Sequence, residues 1–454
     1  MSNSGSKRKY KVLSLFSGGM GLDLGLEATG RFKTVACIEK EKAFCDTIRI
    51  NRDAGRLDSN LQVLEADIST LSPAETLKEL GIEPNEIDVI VGGPPCQSFS
   101  TAGRRGTTQD PRGTLLWDFL CFVEYARPKF FLMENVRGLL SAALKHRPIA
   151  ERPDKGGSPL TQDEEPGSVV RLFAKDLANF DGIRYHLDIF EVNAVNYGAP
   201  QLRERALFIG NCLGRLVEFP CPTHGVEQNS DDNGQRNLFE EKRLLPWKTL
   251  GDALDGLEDK NPVVLDFSPR KKKYLGMVPS GSNWRSLPEE MQKESMGKAW
   301  YAKGGRSGWW RRLTFDLPSP TLVTMPNHAS TSLCHPTETR ALSIKEYTRI
   351  QEFPDNWEFS GTVSQKYAQV GNAVPIRLGI VSGEVLASEL DVVGSEQLPL
   401  HSLYTHEPRI VYLQSHVRTR QWFKNGKTFV WSDGDENNHT RYAAPKTLKR
   451  TRAI

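Results

Sequence analysis

The seven cysteines of this 454-residue chain include no Cys-x-x-Cys pair. This absence argues against a structural zinc site and a disulfide framework, and it fits a reduced cytosolic compartment. No apolar run approaches the length of a membrane span, and the first ten residues show no secretory signal pattern. The sequence therefore predicts a cytoplasmic protein with no membrane association and no bound metal.

A strong net charge is also missing, because 59 basic and 56 acidic residues leave a formal net charge of only +3. This weakly favours an anionic partner, and any basic surface must be local. Hydrophobic residues make up 38% of the chain and charged residues 25%, which is typical of a globular protein. The length favours two folded units.

Two nucleotide-binding signatures are absent from the Gly-rich segment at residues 13–25. Its glycines stand at 18, 19, 21 and 25, which is not the Gly-x-Gly-x-x-Gly spacing of dinucleotide-binding proteins, and no Gly-Lys-Ser/Thr follows. A NAD-dependent dehydrogenase is therefore disfavoured. The segment still predicts a strand, a Gly-rich turn and a helix start, in which the glycines let the backbone pass close to a cofactor.

Strand-like and helix-like segments alternate from residue 11 to 140, which predicts an α/β fold with a doubly wound, mostly parallel sheet. The predicted strands are Lys11–Phe16, Thr34–Glu39, Val63–Asp67, Ile87–Val91, Lys129–Met133, Tyr185–Val192 and Ala206–Gly210. Open sheets of this kind bind ligands at the carboxyl ends of their strands.

Chemically useful side chains stand at several of these strand ends. Glu39 can accept two hydrogen bonds from a ribose diol, and Asp67 is placed to meet an adenine amino group. Cys96 follows the stiff Pro94-Pro95 turn, which suits a nucleophile. A single such acid is more often a helix cap, and a lone cysteine is more often buried and inert. The ordered series is much harder to obtain by chance.

Two further segments carry polar groups that suit a substrate. Glu134 ends an apolar strand, so we expect partial desolvation to raise its affinity for a proton that it shares with a ring nitrogen. Gln201, Arg203 and Arg205 alternate along an extended segment and should share a face, where they suit a carbonyl oxygen and phosphates. A capping acid and a salt-bridged edge strand are the alternatives.

Five motifs, in this order, resemble those of the DNA cytosine-5 methyltransferases, in particular a bacterial modification enzyme of a restriction–modification system. They are Phe16-Ser17-Gly18, Pro94-Pro95-Cys96-Gln97, Glu134-Asn135-Val136, Gln201-x-Arg203-x-Arg205 and Gly371-Asn372-Ala373-Val374-Pro375. The resemblance covers about residues 11 to 390.

The resemblance implies a mechanism in which Cys96 attacks carbon 6 of cytosine as a thiolate. Glu134 would support the proton at ring nitrogen 3, and Arg205, aided by Arg203, would bind the carbonyl. Carbon 5 then takes the methyl group of S-adenosylmethionine. Because these groups cannot reach a stacked base, the cytosine must be flipped out of double-stranded DNA.

The resemblance also implies binding residues for both substrates. The S-adenosylmethionine pocket would comprise Phe16, Ser17, Gly18, Gly21, Glu39, Asp67, Ile68, Pro94, Asn372 and Val374. The DNA contacts would comprise Gln97, Ser98, Ser100, Arg104, Arg105 and Gln201. Ser98 to Gly113 resembles the loop that closes over DNA in this family.

The implied domains are a catalytic domain of residues 1–211 and 325–390, a smaller target-recognition domain of 212–324, and a basic extension of 391–454. Candidate base contacts in the second domain are Trp284, Arg285, Arg306, Trp309 and Trp310. Two departures concern cofactor affinity. Ser14 stands where the family often has an acid, and Met20-Gly21 replaces the usual Gly-Gly.

Two other functions fit the same core. An RNA cytosine methyltransferase would share it, although the sizeable segment 212–308 favours duplex DNA, since reading base edges needs a dedicated domain. A catalytically idle DNA-binding protein is disfavoured by the intact Cys96, Glu134 and Arg205. The expected state is a monomer, and the sequence does not determine the recognition site.

Overall fold

The computed structural model describes residues 8–95, 114–225, 244–301, 307–393 and 408–413. Eight strands form the main sheet, and two short strands pair separately. In chain order the strands are β1 Tyr10–Leu15, β2 Phe32–Glu39, β3 Gln62–Glu65, β4 Val89–Gly92, β5 Phe130–Val136, β6 His186–Asn193, β7 Glu204–Asn211, β8 His224–Gly225, β9 Leu245–Pro246 and β10 Arg409–Tyr412. All seven strands predicted above are present, with ends shifted by at most three residues.

The helices surround this sheet and the segment that follows it. They are α1 Gly21–Ala28, α2 Lys42–Asp53, α3 Pro73–Glu79, α4 Leu115–Ala126, α5 Ser168–Ala178, α6 Leu250–Leu254, α7 Pro269–Leu275, α8 Glu289–Met296, α9 Ile344–Ile350, α10 Val363–Asn372 and α11 Ile376–Val393.

The sheet has the order β10-β6-β7-β5-β4-β1-β2-β3, and only β7 runs antiparallel to its neighbours. The chain moves outward from β1 through β2 to β3, then returns to place β4 on the other side of β1. This reversal makes a crevice at the carboxyl ends of β1 and β4, which is where doubly wound folds bind ligands. The predicted fold class is confirmed.

Both faces of the sheet are covered, which explains why β4 and β5 are apolar runs. One face packs against α3, α4 and α5, and the other packs against α1 and α11. Helices α1 and α11 approach closely because Gly25 faces Gly379, and a Cβ on Gly25 would meet the α11 backbone. This contact fixes α1, and therefore the Gly-rich turn before it, against α11.

The stretch Val363–Val392 is long and apolar enough to cross a membrane, by length and composition alone. No such run was expected from the sequence. The stretch is interrupted at Ala373–Pro375 between α10 and α11, and two thirds of its most apolar window is buried inside the protein. Packing of α11 in the core accounts for its composition.

A separate hydrophobic cluster lies beyond the main sheet and includes Phe267, Tyr274, Trp284, Trp310 and Ala341. Residues after the expected boundary at 324 thus contribute to it. The extension at 391–454 also contributes to the main sheet, because β10 pairs in parallel with β6. Arg409 of β10 forms an ion pair with the fully buried Asp188 (Nε–Oδ1 2.6 Å), which ties this strand to the sheet edge.

Candidate active site

The turn after β1 is held in an unusual backbone conformation. Phe16, Gly18 and Met20 all have positive φ, at 55°, 54° and 68°, which costs energy for the two residues that carry side chains. Phe16 follows the end of β1 and is half-buried against the core that covers one face of the sheet, and the adjacent Ser17 has 8% of its surface exposed. Strain at such a position is typical of a ligand-binding turn.

Glu39, at the end of β2, accepts three backbone hydrogen bonds. Its Oε2 accepts from Gly18 N (2.9 Å), and its Oε1 accepts from Lys40 N and Glu41 N (both 2.9 Å). Burial raises the pKa of this carboxyl, while the N–H donors act in the opposite direction. Glu39 therefore fixes the Gly-rich turn to β2 in addition to any contact with a ligand.

A buried acid lies behind the turn although Ser14 stands where the family often has one. Ser14 Oγ donates to Asp23 Oδ2 (3.0 Å), and Ser17 Oγ donates to Ser14 Oγ (2.9 Å). Asp23 is 2% exposed, and burial raises its pKa to about 7. The buried acid behind the turn is therefore supplied by α1. None of the sequence motifs indicated this role for Asp23.

Met20, the second departure that concerned cofactor affinity, packs inward in a hydrophobic cluster. Its side chain is fully buried, and its sulfur lies 3.5 Å from Cys37 Sγ. The neighbouring Gly21 has no space for a side chain. A Cβ on Gly21 would fall far inside contact distance of the Val374 carbonyl oxygen and lie 3.2 Å from the Ala373 Cβ. This close approach joins the turn to the Gly371–Pro375 motif.

Asp67 follows β3 and starts a short 3-10 turn at Ile68–Thr70. Its Oδ1 accepts from the Ser69 hydroxyl (2.8 Å) and the Ser69 backbone N–H (3.1 Å), which lower the pKa of the carboxyl. The Asp67 side chain is 42% exposed, whereas Ile68 is buried. Asp67 therefore keeps an accessible oxygen at the same sheet edge as Glu39.

Pro94 lies buried just after β4, and its carbonyl oxygen accepts a hydrogen bond from Asn135 Nδ2 (3.1 Å). This bond ties the end of β4 to the end of β5. Sequence reasoning quoted Asn135 only as part of a motif and assigned it no role. Six residues assigned from the sequence lie outside the described residues, namely Cys96, Gln97, Ser98, Ser100, Arg104 and Arg105.

Glu134 and Arg205 form an ion pair between Oε1 and Nε at the carboxyl edge of the sheet. Both side chains are 11% exposed. The pair is built by the antiparallel register of β5 and β7, in which Val136 lies opposite Arg205. The Glu134 Oε2 atom lies close to Gly93, on the turn that leads to Cys96. A cleft of about 330 Å³ opens beside Arg205, and Val136, Leu202 and Thr321 are among its lining residues.

Gln201 and Arg203 do not face this cleft, although alternation predicted that they share a face with Arg205. Gln201 is fully buried and Arg203 is 2% exposed. Arg203 donates to the carbonyl oxygens of Leu322 (3.2 Å) and Gly371 (2.8 Å). The DNA contact expected of Gln201 and the carbonyl contact expected of Arg203 are not accessible in this conformation, because groups of later segments, the Gln351 side chain among them, engage both side chains.

The Gly371–Pro375 motif closes the crevice from the other side. Asn372 is exposed at the end of α10, and Val374 is buried beside Gly21. The structure thus brings residues from the ends of β1, β2, β3, β4 and β5 and the start of β7 to one sheet edge. Among the described residues, no cluster of potential metal ligands is present.

Residues 10–386 match the family model of C-5 cytosine-specific DNA methylases. The chain belongs to this family. It is 35% identical to the Type II methyltransferase M.Sau96I of Staphylococcus aureus over 86% of this chain and 79% of the relative. It is also 35% identical to M.Eco47II of Escherichia coli, over 86% and 81% of the two chains. The recognition of a bacterial DNA cytosine-5 methyltransferase of a restriction–modification system is confirmed.

The fold of this methylase is also that of solved structures. A prophage-encoded E. coli protein described as a DNA modification methyltransferase superposes with a TM-score of 0.51 and 23% identity. The superposition covers 85% of this chain and all of the other. This likeness supports the Rossmann-like methyltransferase fold.

Two of the tryptophans considered for base contacts are buried in the separate hydrophobic cluster that lies beyond the main sheet of the methylase. Trp284 and Trp310 are 6% and 3% exposed, and Trp310 Nε1 donates to Ser295 Oγ (2.9 Å). The Arg285 guanidinium lies over the Trp284 ring, 4.6 Å from its centroid. Trp309 is partly buried against the same cluster, and Arg306 lies outside the described residues. Burial leaves Trp284 and Trp310 a packing role.

Proposed function

We propose that this methylase flips a cytosine out of a short specific sequence of double-stranded DNA and transfers a methyl group from S-adenosylmethionine to its carbon 5. The modification would protect host DNA from a cognate restriction endonuclease. The observation that carries the proposal is the Glu134–Arg205 pair beside the turn that leads to Cys96. An acid and a guanidinium side by side match the ring nitrogen and carbonyl of one cytosine edge.

In this proposal Cys96 is the nucleophile. Its thiolate forms a bond to carbon 6 while Glu134 supports the proton at ring nitrogen 3, which makes carbon 5 nucleophilic. After methylation, removal of the carbon 5 proton lets the carbon–sulfur bond break and releases Cys96. Asn135 supports this chemistry indirectly, because its bond to the Pro94 carbonyl sets the start of the Cys96 segment.

The pocket residues fit S-adenosylmethionine, which when bound supplies an electrophilic methyl group. Phe16 offers a ring face for the adenine, and Asp67 and Glu39 are acceptors suited to its amino group and ribose hydroxyls. Ser17, Gly18, Gly21, Ile68, Pro94, Asn372 and Val374 would complete the pocket. The close approach of Gly21 to Val374 supports this assignment, since it brings two separate motifs together at the crevice.

Flipping of the base follows from the depth of the proposed site. Glu134 and Arg205 are each only 11% exposed, so a base inside a duplex cannot reach them. Unstacking costs a few kcal/mol, about the strength of a few protein–DNA contacts. We assign these contacts to Gln97, Ser98, Ser100, Arg104 and Arg105, which all lie in the segment that follows Cys96.

We retain the division into a catalytic domain (1–211 and 325–390), a target-recognition domain (212–324) and an extension (391–454) as part of the proposal. The separate cluster around Phe267 and Trp310 supports a second folded unit, although it draws in residues as far as Ala341. A monomer is sufficient for this chemistry. The proposed location is the cytoplasm.

Bisulfite sequencing of a plasmid incubated with the protein and S-adenosylmethionine tests the proposal. Protection of cytosines in one recurring context is the expected result. A tRNA transcript assayed in parallel distinguishes an RNA methyltransferase, which would modify the transcript and leave the plasmid unprotected.

The Cys96→Ser variant should lose methylation entirely while it retains DNA binding, because the hydroxyl is a far weaker nucleophile than a thiolate. Cys121→Ser is the matched control, since Cys121 is exposed on α4, and it should keep wild-type turnover. Wild-type turnover in Cys96→Ser would show that the nucleophile is another residue. A covalent complex with 5-fluorocytosine DNA is expected for the wild type and Cys121→Ser, and not for Cys96→Ser.

A further inference from the structure

Three buried polar side chains connect the segment before Arg205 to the end of α10. Gln201 and Gln351 are fully buried, and Arg203 is 2% exposed. Gln351 directly follows α9, and neither the motifs nor the proposed chemistry assigned it a role. Its Oε1 accepts a hydrogen bond from Gln201 Nε2 (2.5 Å).

The amide nitrogen of Gln351 donates to two carbonyl oxygens at the end of α10. These belong to Val370 (2.7 Å) and Ala373 (3.0 Å). Arg203 donates to the carbonyl between them, that of Gly371 (2.8 Å). The last carbonyls of a helix have no partner within the helix, so these side chains supply the missing donors.

The two ends of this network lie at different parts of the proposed site. The carbonyls of Val370, Gly371 and Ala373 flank Asn372 and precede Val374, both assigned to the cofactor pocket. At the other end, Arg203 stands two residues before Arg205, which pairs with Glu134. A shift of either end strains the same hydrogen bonds, because buried polar groups cannot exchange them for water.

We propose that Gln351 is a positioning residue, which together with Gln201 and alongside Arg203 holds the Arg205 strand to the end of α10 and so couples cofactor binding to DNA binding. The inference rests on the proposed function, since it assumes that the two ligands occupy the two ends of the network. Binding of either ligand then favours the same arrangement of the hydrogen bonds. By linkage, each ligand must raise the affinity for the other by the same factor.

The coupling factor is the ratio of two dissociation constants for S-adenosylhomocysteine, measured by calorimetry without and with a duplex that carries the methylated context. We expect wild type to show a factor in the range of about 5 to 150. In Gln351→Leu the factor should fall to within about twofold of one, since the side chain no longer donates to Val370 and Ala373.

Gln369→Leu is the matched control. Like Gln351, Gln369 is a fully buried glutamine, and it lies on α10. Its amide contacts Ser360 O (2.9 Å) and Thr47 Oγ1 (2.6 Å), away from the Arg205 strand. A comparable loss of thermal stability is expected, together with a coupling factor within about twofold of wild type. A purely structural role for Gln351 would make the two variants alike in both measurements.

Gln201→Leu is the second variant, and it decides the question if Gln351→Leu does not fold. It removes the link to the Arg205 segment and leaves the bonds from Gln351 to α10 in place, and it too should lose the coupling. A wild-type coupling factor of one, or full coupling in a folded Gln351→Leu or Gln201→Leu, would overturn the inference. Absence of plasmid methylation by wild type would instead refute the proposed function.

Discussion

The two halves of the site are built in different ways. On the cofactor side, positioning hydrogen bonds are local, since Glu39 binds backbone N–H groups one, two and 21 residues away and Asp67 binds Ser69. On the base side they span long stretches of chain. Arg203 bonds to residues 119 and 168 positions away, and Gln201 bonds to one 150 positions away.

The difference teaches which parts of a site a motif can describe. A strand end that carries an acid followed by its own capping donors forms the same geometry wherever it occurs, because the partners are neighbours in sequence. A side chain whose partners lie 150 residues away has no such local signal. The base side is therefore the part in which substitutions far from the cleft should alter the chemistry.

Among the variants that compare the two halves, the largest effect should come from removing the acid of the base side. Glu134→Gln keeps the shape of the side chain but cannot share a proton with the cytosine ring nitrogen. We expect the turnover number to fall about 10²- to 10⁴-fold, the usual contribution of a general acid or base. Single-turnover methylation of the mapped context measures it, and the KM for S-adenosylmethionine should hardly change.

Glu86→Gln controls for the loss of a carboxylate, since Glu86 is half-buried, pairs with Lys11 and precedes β4 at the opposite sheet edge. It should retain full activity. Equal turnover in Glu134→Gln and Glu86→Gln would contradict the role assigned to Glu134.

Gly21→Ala tests the contact that joins the Gly-rich turn to the Gly371–Pro375 motif within the cofactor side. The added methyl group would overlap the Val374 carbonyl, so either α1 or the Gly371–Pro375 motif must shift. Overpacking of this kind costs about 1–3 kcal/mol of unfolding free energy. Denaturant unfolding should show this loss together with a higher KM for S-adenosylmethionine. Gly138→Ala, where no atom lies within 4 Å of the added Cβ, should lose neither.

The buried acid behind the turn predicts a pH dependence. The pKa of Asp23 rises from 3.8 to about 7 on folding, so the native state binds the extra proton between these values. Stability contributed by this group is therefore present at low pH and is lost as pH rises towards 7, by up to about 1.4 kcal/mol per pH unit.

Asp23→Asn should remove this dependence while it still accepts a hydrogen bond from Ser14. Urea unfolding at pH 5.5 and pH 8 measures it, and the drop in free energy between these values should be smaller in the variant. Identical drops in the two proteins would show that Asp23 does not titrate in this range.

The smallest effect should come from the local side. Asp67→Ala removes the acceptor assigned to the adenine amino group, and one hydrogen bond of about 0.5–1.5 kcal/mol corresponds to roughly a 2- to 12-fold rise in KM for S-adenosylmethionine. Asp58→Ala has the same local pattern, since Asp58 Oδ1 accepts from Asn60 N (2.9 Å), but it lies before β3 at the other edge. An equal rise in both variants would contradict the assignment of Asp67.

Much of the fold could be predicted because its signals are local. Apolar runs, most of which end in Gly, Pro or an acid, located the seven predicted strands, and their alternation with helices indicated the parallel sheet. The eighth strand, β10, was not predicted in that sheet. It has only four residues within the extension of 391–454, and so short a segment shows little hydrophobic periodicity. Its place depends on the buried Asp188, which pairs with Arg409 across 221 residues of chain.

The sequence by itself determined the family, the sheet and the order of the site motifs, because short-range patterns of hydrophobicity, turn residues and catalytic side chains specify these. Only the tertiary structure decided that the acid behind the Gly-rich turn comes from Asp23, that Met20 packs inward, and that Gln201 and Arg203 are buried against Gln351 and the end of α10. Those outcomes depend on which distant backbone groups remain without partners once the core has packed. Burial makes such groups find donors within the protein, and no local pattern encodes which donors they meet.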